Sequence, residues 1–356
     1  MGLPKDHVGA GRKEIQPPVE KGTPVISGPA RTELRKDPTS GQWVLVRNWT
    51  PQPRGDNVCP FCPGHESETP PEIAAFRTNG QLPNSSEWLV RVIPDMAPLL
   101  QIEGDIQREG LGLYDSVSGR GASELVIEHP VHGAVWDHLP AEDVERVLWM
   151  YRARVEDLYQ DAQIRSVLIR RREHSLADPI THPFSRIFGA PIVFDDLRRE
   201  LAAARQHFIR KQRCLYCDII HQERQDGRRV VMETSSFLVY TPYGARRPFE
   251  TWLVPTTHRH SYTATSPGEL GDLSRTLQAA FRRLRAVQPS VPVDLTLHTA
   301  PNAKMRLRED EWRSLLEDYH WHIELAPDRK SREDIGGFAV NPLPPEEAAR
   351  QLRNAL

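Results

Sequence analysis

Apolar residues along the chain follow two periods, and the two halves of the chain repeat the same order of elements. Apolar side chains at three- and four-residue spacing predict helices near 141–160 and 267–287, because this spacing places them on one helical face. Short runs of aliphatic and aromatic residues predict strands in the first half near 88–93, 123–128 and 166–170. Matching runs occur in the second half near 229–240, 250–254, 293–297 and 319–325. We therefore expect an α+β protein of two tandem halves, each an antiparallel sheet with a helix packed on one face.

The length of the chain and its breaks in pattern predict the domain organisation. A chain of 356 residues suits two domains of ordinary size. Residues 1–30 are rich in Gly, Pro, Lys and Glu without periodicity, which is typical of a flexible arm. A boundary near 190–213 then divides an N-terminal domain over 31–190 from a C-terminal domain over 191–356. A last helix with proline at its start is expected from Pro345.

The composition is that of a globular protein rather than a fibrous or disordered one. Hydrophobic residues make up 38% of the chain, and the net charge of −2 gives no overall field that would attract nucleic acid or anionic lipid. No apolar stretch approaches the roughly 18 residues of a membrane span, and the start of the chain lacks a signal-peptide core. We expect a cytoplasmic protein whose partners are neither nucleic acid nor membrane.

All four cysteines lie in two C-x-x-C pairs, and each pair is followed at equivalent points by two histidines. Close cysteine pairs in a cytosolic protein favour metal binding over disulfides, and their repetition in both halves is explained most simply by duplication. Zinc prefers four thiolate or imidazole ligands, so we assign Cys59, Cys62, His132 and His182 to one site and Cys214, Cys217, His258 and His320 to another. His260 competes with His258 as a ligand. Four protein ligands leave no open position, so both zinc ions are expected to be mainly structural.

Five motifs between residues 31 and 356 carry a resemblance to a known family: Asp37–Val46, Cys59–Cys62, Pro248–Pro255, Leu297–Pro301 and Tyr319–Pro327. They resemble motifs of the galactose-1-phosphate uridylyltransferases and the related ADP-glucose phosphorylases, which are two-domain members of the histidine-triad superfamily. The resemblance implies two tandem histidine-triad-like domains, a first zinc site at the ligands assigned above, a homodimer, and a nucleotide sugar or sugar phosphate as substrate.

The resemblance implies two alternative ligand sets for the second metal. Relatives with a second C-x-x-C pair have ligands that match Cys214, Cys217, His258 and His320. Other relatives use one glutamate and three histidines, which match Glu200, His298, His320 and His322. This chain contains both sets, and we favour the cysteine set because thiolates outcompete carboxylates for zinc.

A phenyl ring stands at the position of the family's catalytic nucleophile. In the family, the second histidine of a His-Pro-His-x-Gln motif carries a nucleotidyl group, which divides one transfer into two easier displacements. Here the motif reads His182-Pro183-Phe184-Ser185-Arg186, and Phe184 has no lone pair with which to attack phosphorus. Arg186 replaces the glutamine, and Asp95 replaces a usual asparagine. The scaffold and metals are expected to be retained, while the phosphotransfer apparatus is rebuilt or lost.

Three functions follow from these differences. The favoured one is a nucleotidyltransferase-like enzyme that acts on a nucleotide sugar or sugar phosphate without a covalent nucleotidyl-histidine step. Its expected substrate contacts are Arg170, Arg171, Arg172, Asp95 and Ser185, and its candidate catalytic residues are His322, His174 and Arg186. The alternatives are a repurposed lyase or isomerase of a biosynthetic pathway, and a pseudoenzyme that binds a nucleotide or a protein.

Overall fold

The computed structural model describes residues 32–47, 58–78, 80–173, 181–304, 312–327 and 334–356, so the predicted arm over 1–30 lies outside the described residues. The strands of the first half are β1 Thr32–Lys36, β2 Trp43–Arg47, β3 Ala74–Arg77, β4 Trp88–Pro94, β5 Arg108–Leu111, β6 Tyr114–Ser118, β7 Ala122–Ile127, β8 Ser166–Arg172 and β9 Phe184–Ala190. The second half contains β10 Val230–Glu233, β11 Phe237–Tyr240, β12 Thr251–Pro255, β13 Val293–His298, β14 His322–Pro327, β15 Asp334–Ile335 and β16 Phe338–Ala339. The helices are α1 Ala141–Leu158, α2 Asp195–Lys211, α3 Leu215–Asp226, α4 Pro267–Val287, α5 Leu315–Asp318 and α6 Pro345–Asn354.

Ten strands form one antiparallel sheet in the order β10-β11-β12-β14-β13-β8-β9-β7-β4-β3. Read outward from the centre, each half has the same internal order, so β8 corresponds to β13 and β9 corresponds to β14. The halves join edge to edge where β8 pairs with β13, with Ile169 opposite Leu297. The predicted fold class of two tandem α+β halves is confirmed. The continuous sheet across both halves was not predicted.

Helices α1 and α4 cover one face of the large sheet and pack against each other, as their predicted amphipathic patterns require. Leu148 and Tyr151 of α1 and Leu277 and Phe281 of α4 are almost completely buried in a single core. Strand residues at alternate positions, such as Ile169, point into this core from the sheet. None of the helices in the described part of the chain is long and apolar enough to cross a membrane.

A charged pair is buried between this helical layer and the sheet. Arg171 Nε donates a hydrogen bond of 3.0 Å to Glu128 Oε2, and the Arg171 guanidinium lies 4.6 Å from the ring centroid of Trp136. Glu128 also accepts hydrogen bonds from Trp136 Nε1, at 2.8 Å, and from the Ser185 hydroxyl. Ser185 and Arg171 therefore face the helices, and the neighbouring residues on their strands face the opposite side of the sheet.

The opposite face is covered differently in the two halves. Helices α2 and α3 pack on the second half, where Leu197 and Leu201 of α2 are buried. In the first half, a small apolar cluster that includes Phe61, Leu125 and Phe184 covers the sheet. A separate four-stranded sheet has the order β2-β1-β6-β5. The predicted domain boundary at 190–213 coincides with α2 and stays a prediction.

Candidate functional site

The first Cys–His group lies beside the start of β9. The donor atoms of Cys59, Cys62, His132 and His182 all lie within 4.8 Å of one another. The Sγ atom of Cys62 is 3.5 Å from His132 Nδ1 and 3.7 Å from His182 Nδ1. A tight turn presents both thiols, since Cys62 N donates to Cys59 O at 3.3 Å. Four soft donors therefore converge from three separate segments of the first half.

The outward nitrogens of these imidazoles are held by neighbouring groups. His182 Nε2 donates to the carbonyl oxygen of His129 at 2.8 Å, and His132 Nε2 lies 2.7 Å from the hydroxyl of Thr181. A carbonyl oxygen can only accept, so Nε2 of His182 carries the hydrogen and Nδ1 directs its lone pair at the thiols. Burial, together with the charge of Cys59, raises the pKa of Cys62 to about 11. A bound cation would reverse this effect by stabilising the thiolate.

The second Cys–His group repeats this arrangement in the second half. Its members are Cys214, Cys217, His258 and His320, whose donor atoms also lie within 4.8 Å of one another. Cys217 Sγ is 3.5 Å from His258 Nδ1, and the Nε2 atoms of His258 and His320 each donate to a backbone carbonyl oxygen at 2.9 Å. The cysteines flank the first turn of α3. Within the described residues, His258 belongs to the group and His260 does not.

A third group contains Glu200, His298, His322 and Glu324. His320, which the alternative ligand set shares with Glu200, His298 and His322, lies with the cysteines instead. The His322 ring is fully buried and stacks between His298 and Trp252, with centroid separations of 4.8 and 4.9 Å. Burial lowers the pKa of His322 to about 4 despite the nearby charge of Glu200. His322 is one of the predicted catalytic residues, and in the structure its ring has no exposed surface.

Phe184 lies on the face of the sheet opposite α1, two residues after His182. Its ring meets Phe61 edge-on at 5.5 Å, and the guanidinium of Arg186 lies over it at 4.9 Å. Arg186 Nε donates to Asp95 Oδ2 at 3.2 Å, and Asp95 is buried while Arg186 is partly exposed. Asp95 also accepts from Ala97 N at 3.0 Å. A phenyl ring beneath an anchored guanidinium therefore occupies this point at the start of β9.

Three arginines face solvent at the centre of the sheet. Arg170 lies opposite Arg186 on the neighbouring strand, and Arg172 follows two residues later on the same face. Their side chains are 51%, 43% and 54% exposed for Arg170, Arg186 and Arg172, so all three can reach a ligand. Asp294 pairs with Arg170 at 3.0 Å.

A cavity of about 600 Å³ continues from this arginine row across the second half. Its lining includes Arg170, Thr296, His298, Arg246 and Glu324. Among the described residues, Arg171 and Ser185 are not part of this lining. Arg171 and Ser185 lie on the helical face, and His174 lies outside the described residues.

The repeated strand order and the matching Cys–His groups define a protein of two tandem α+β halves. No protein-family model matches the chain. It is 25% identical over 346 residues to ADP-glucose phosphorylase of Arabidopsis thaliana, covering 90% of this chain and 92% of that protein. It is 24% identical over 335 residues to galactose-1-phosphate uridylyltransferase of Thermotoga maritima, covering 90% and 98%. A solved uridylyltransferase mutant superimposes with a TM-score of 0.74 at 26% identity, covering 91% and 97%. The resemblance expected from the sequence is therefore confirmed.

Proposed function

We propose that this protein acts on a nucleotide sugar or sugar phosphate by direct transfer, without a covalent nucleotidyl-histidine intermediate. The observation that carries the proposal is the phenyl ring of Phe184 beneath the guanidinium of Arg186, 4.9 Å away, where the relatives' motif places a nucleophile. A ring without a lone pair cannot displace a leaving group from phosphorus. The acceptor itself must then attack phosphorus as the leaving group departs.

The exposed arginines support recognition of a phosphorylated ligand. Guanidinium groups bind phosphate oxygens through paired hydrogen bonds and keep their charge at all physiological pH values. Arg186 uses Nε for Asp95, at 3.2 Å, which leaves its terminal nitrogens for a ligand. Arg170 stands opposite it, so both can approach one phosphoryl group. Positively charged groups held in such positions stabilise the negative charge that develops on the phosphoryl oxygens during transfer.

Zinc is the metal we propose for the two Cys–His groups. Cys59, Cys62, His132 and His182 would hold one ion, and Cys214, Cys217, His258 and His320 would hold the other. The fit is supported by the outward hydrogen bonds that orient three of the imidazoles toward the thiols, with Nε2 of each on a backbone carbonyl. Zinc at closed sites would stabilise the fold and attach each cysteine turn to the sheet. The cytoplasmic location and the homodimer stay predictions.

A labelling experiment tests the proposal. The purified protein is incubated with UDP-glucose or ADP-glucose labelled at the α-phosphate, with a sugar phosphate or inorganic phosphate as acceptor. We expect labelled product and no acid-labile label on the protein. Label that is stable to denaturation and released by acid would refute direct transfer. Failure to bind either nucleotide sugar would refute the proposed substrate class.

A non-catalytic nucleotide binder is the second candidate. It is favoured by the burial of His322, because this histidine occupies the second-half counterpart of Phe184 and has no exposed surface. Binding of a labelled nucleotide sugar with no product from any acceptor would support this candidate over the enzyme.

The substitution Phe184→His examines the nucleophile position directly. We expect that this variant also fails to become labelled, because Arg186 covers the ring position and its Nε is bound to Asp95. Phe188→His is the matched control, since it places an imidazole four residues along the same strand and face. Labelling of Phe184→His, with none on Phe188→His, would show that the other residues around this position support nucleotidyl transfer to a histidine. That result would contradict the expectation that the phosphotransfer residues have been rebuilt.

A further inference from the structure

The cavity beside the arginine row lies over the second half of the sheet. Its volume of about 600 Å³ is within the range of about 300–1,000 Å³ that is usual for small-molecule sites. Residues of β13 and β14 form its floor, and residues at the start of α2, including Phe194 and Leu197, form a wall. We infer that this cavity holds the acceptor, a sugar phosphate, while the nucleotide sugar lies over the first half. This second substrate site rests on the proposed direct transfer.

Direct transfer requires both substrates on the protein at the same time. A covalent nucleotidyl-histidine lets the first sugar phosphate leave before the acceptor binds, so one pocket can serve both. Without that intermediate, the attacking and leaving oxygens must lie on opposite sides of the same phosphorus atom. A separate site beside the arginine row is therefore needed, and the cavity begins at Arg170, which belongs to that row.

The transfer step can be balanced without any further reactant. An ionised phosphate oxygen of the acceptor forms a bond to the α-phosphorus of the nucleotide sugar. The bond from this phosphorus to the oxygen that bridges to the β-phosphate breaks, and its electron pair leaves with the departing sugar phosphate. Both exchanged atoms are phosphate oxygens, so no general base has to remove a proton. The exposed guanidinium groups of Arg170 and Arg186 can bind the phosphates that take part.

A row of side chains connects the two substrate positions across the open face of the sheet. Arg186 on β9 lies opposite Arg170 on β8. Arg170 lies opposite Thr296 on β13, which in turn lies opposite Glu324 on β14. Neighbouring strands are about 4.8 Å apart, so a phosphate at Arg170 places the sugar attached to it over Thr296.

The charges that line the cavity are largely paired, which favours an uncharged and hydroxyl-rich part of a ligand. His298 is balanced by Glu200, whose Oε1 lies 3.0 Å from its Nδ1. Paired carboxylates and guanidiniums can still accept hydrogen bonds from hydroxyl groups and donate to them. The sugar is therefore expected in the cavity and its phosphate at the exposed arginines. Each of the five carboxylates in the lining has an arginine within 3.2 Å; they belong to Asp195, Asp196, Asp294, Glu250 and Glu324.

Asp294 supplies an unpartnered acceptor in the floor of the cavity. It is 6% exposed, and its Oδ2 accepts from Arg170 at 3.0 Å. Its Oδ1 has no hydrogen-bond partner within the described residues, since Arg172 Nε is 3.8 Å away. Rotation of the carboxylate about its last bond would turn either oxygen toward the cavity. Buried polar atoms are nearly always partnered, and a carboxylate can only accept, so a ligand hydroxyl fits this position better than a phosphate oxygen.

The loop before β12 holds the rim of the cavity in a strained conformation. Phe249 is buried and has a φ of 62°, which is an outlier for a bulky residue. It precedes Glu250, whose Oε2 accepts from Arg246 N at 2.7 Å. The guanidinium of Arg246 then donates to Glu324 at 2.7 Å. Strained residues persist where the surrounding structure holds them, and they cluster at ligand sites.

Equilibrium dialysis of labelled glucose 1-phosphate and galactose 1-phosphate against the full-length protein tests the inference. We expect one bound molecule per chain, and it should stay bound when ADP or UDP saturates the nucleotide site. Thr296→Trp should weaken sugar phosphate binding about ten-fold or more, because Thr296 is partly exposed and the indole would fill the cavity beside Arg170. Its affinity for ADP and UDP should not change. Val44→Trp is the matched control, because Val44 is 52% exposed on β2 and lies outside the cavity lining.

Three results would overturn the inference. The first is displacement of the sugar phosphate by ADP or UDP in simple competition, which would show one shared site and does not depend on any variant folding. The second is unchanged sugar phosphate affinity in folded Thr296→Trp, and the third is no binding of either sugar phosphate to the wild type. Failure of both nucleotides to bind would refute the proposed function. Sugar phosphate binding that persists in that case and is lost in Thr296→Trp would still support the cavity site.

Discussion

Arg186 offers a direct test of how the open face of the sheet binds phosphate, and the informative change is Arg186→Gln. Its guanidinium is 43% exposed, is fixed at Nε by Asp95, and lies over Phe184. Glutamine removes the charge and shortens the side chain, while Phe184 beneath it stays in place. A ligand phosphate would lose the paired donors that the terminal nitrogens of Arg186 supply.

The size of the effect follows from that geometry. A hydrogen bond to a charged group contributes about 1.5–3 kcal/mol. Loss of one such net interaction raises the dissociation constant about 10- to 150-fold, since each 1.4 kcal/mol is about a factor of ten. Folding should change less, because the pair with Asp95 is partly exposed and such pairs contribute about 1 kcal/mol or less. Binding and stability therefore respond by different amounts.

Calorimetric titration with UDP-glucose and with ADP-glucose at low salt measures the binding loss, and a thermal melt of the same samples measures stability. Arg350→Gln is the matched control, because Arg350 is an exposed arginine of α6 that pairs with one carboxylate, Glu347. We expect it to bind both ligands like the wild type. Equal affinity of Arg186→Gln and wild type, or an equal loss in Arg350→Gln, would refute the assignment of phosphate binding to this face.

Three further predictions concern stability and metal content. Arg171→Met should lower the free energy of unfolding by about 3–5 kcal/mol in urea titrations, because the buried carboxylate of Glu128 then loses its positively charged partner. Arg171→Met combined with Glu128→Met should recover most of this loss. Equal losses in both variants would contradict this reasoning. Cys62→Ser should lower the zinc content measured by mass spectrometry by about one ion per chain, and it should lower the melting temperature. An unchanged zinc content would refute the first zinc site. Ser266→Ala should cost about 0.5–2 kcal/mol by the same urea assay, because it breaks the capping box with Glu269 at the start of α4, and no measurable loss would contradict it.

The elements that the sequence predicted correctly are those whose periodicity reflects burial. Helices α1 and α4 begin and end within about two residues of the predicted ranges, because each buries one stripe in the shared core. The hairpin β5–β6 was not predicted, since Arg108–Leu111 is exposed throughout and has no alternation of apolar residues. Helix α3 was also not predicted, and its first turn contains the second cysteine pair, which the sequence analysis assigned only to metal binding.

Some residues of the candidate sites could likewise be predicted from the sequence, and others could not. The Cys–His groups could be assigned from spacing because thiols are rare in the chain and occur in matching places. Glu324 could not be chosen in this way, since charged residues make up 26% of the chain. A signal was present: His322 and Glu324 are two residues apart on a predicted strand, so both point to the face that carries His298. The arginines divide by the same alternation along the strand. Arg170 and Arg172 face away from the helices, and Arg171 faces them.

The relation between the two halves constrains where any catalytic group can lie. Phe184 and His322 begin equivalent strands, β9 and β14, each two residues after an imidazole of a Cys–His group. In the first half the ring at this position is a hydrocarbon, and in the second it is an imidazole with no exposed surface, enclosed by Trp252 and His298. Neither equivalent position offers an exposed imidazole to the open face, which supports the proposal that the acceptor attacks phosphorus directly.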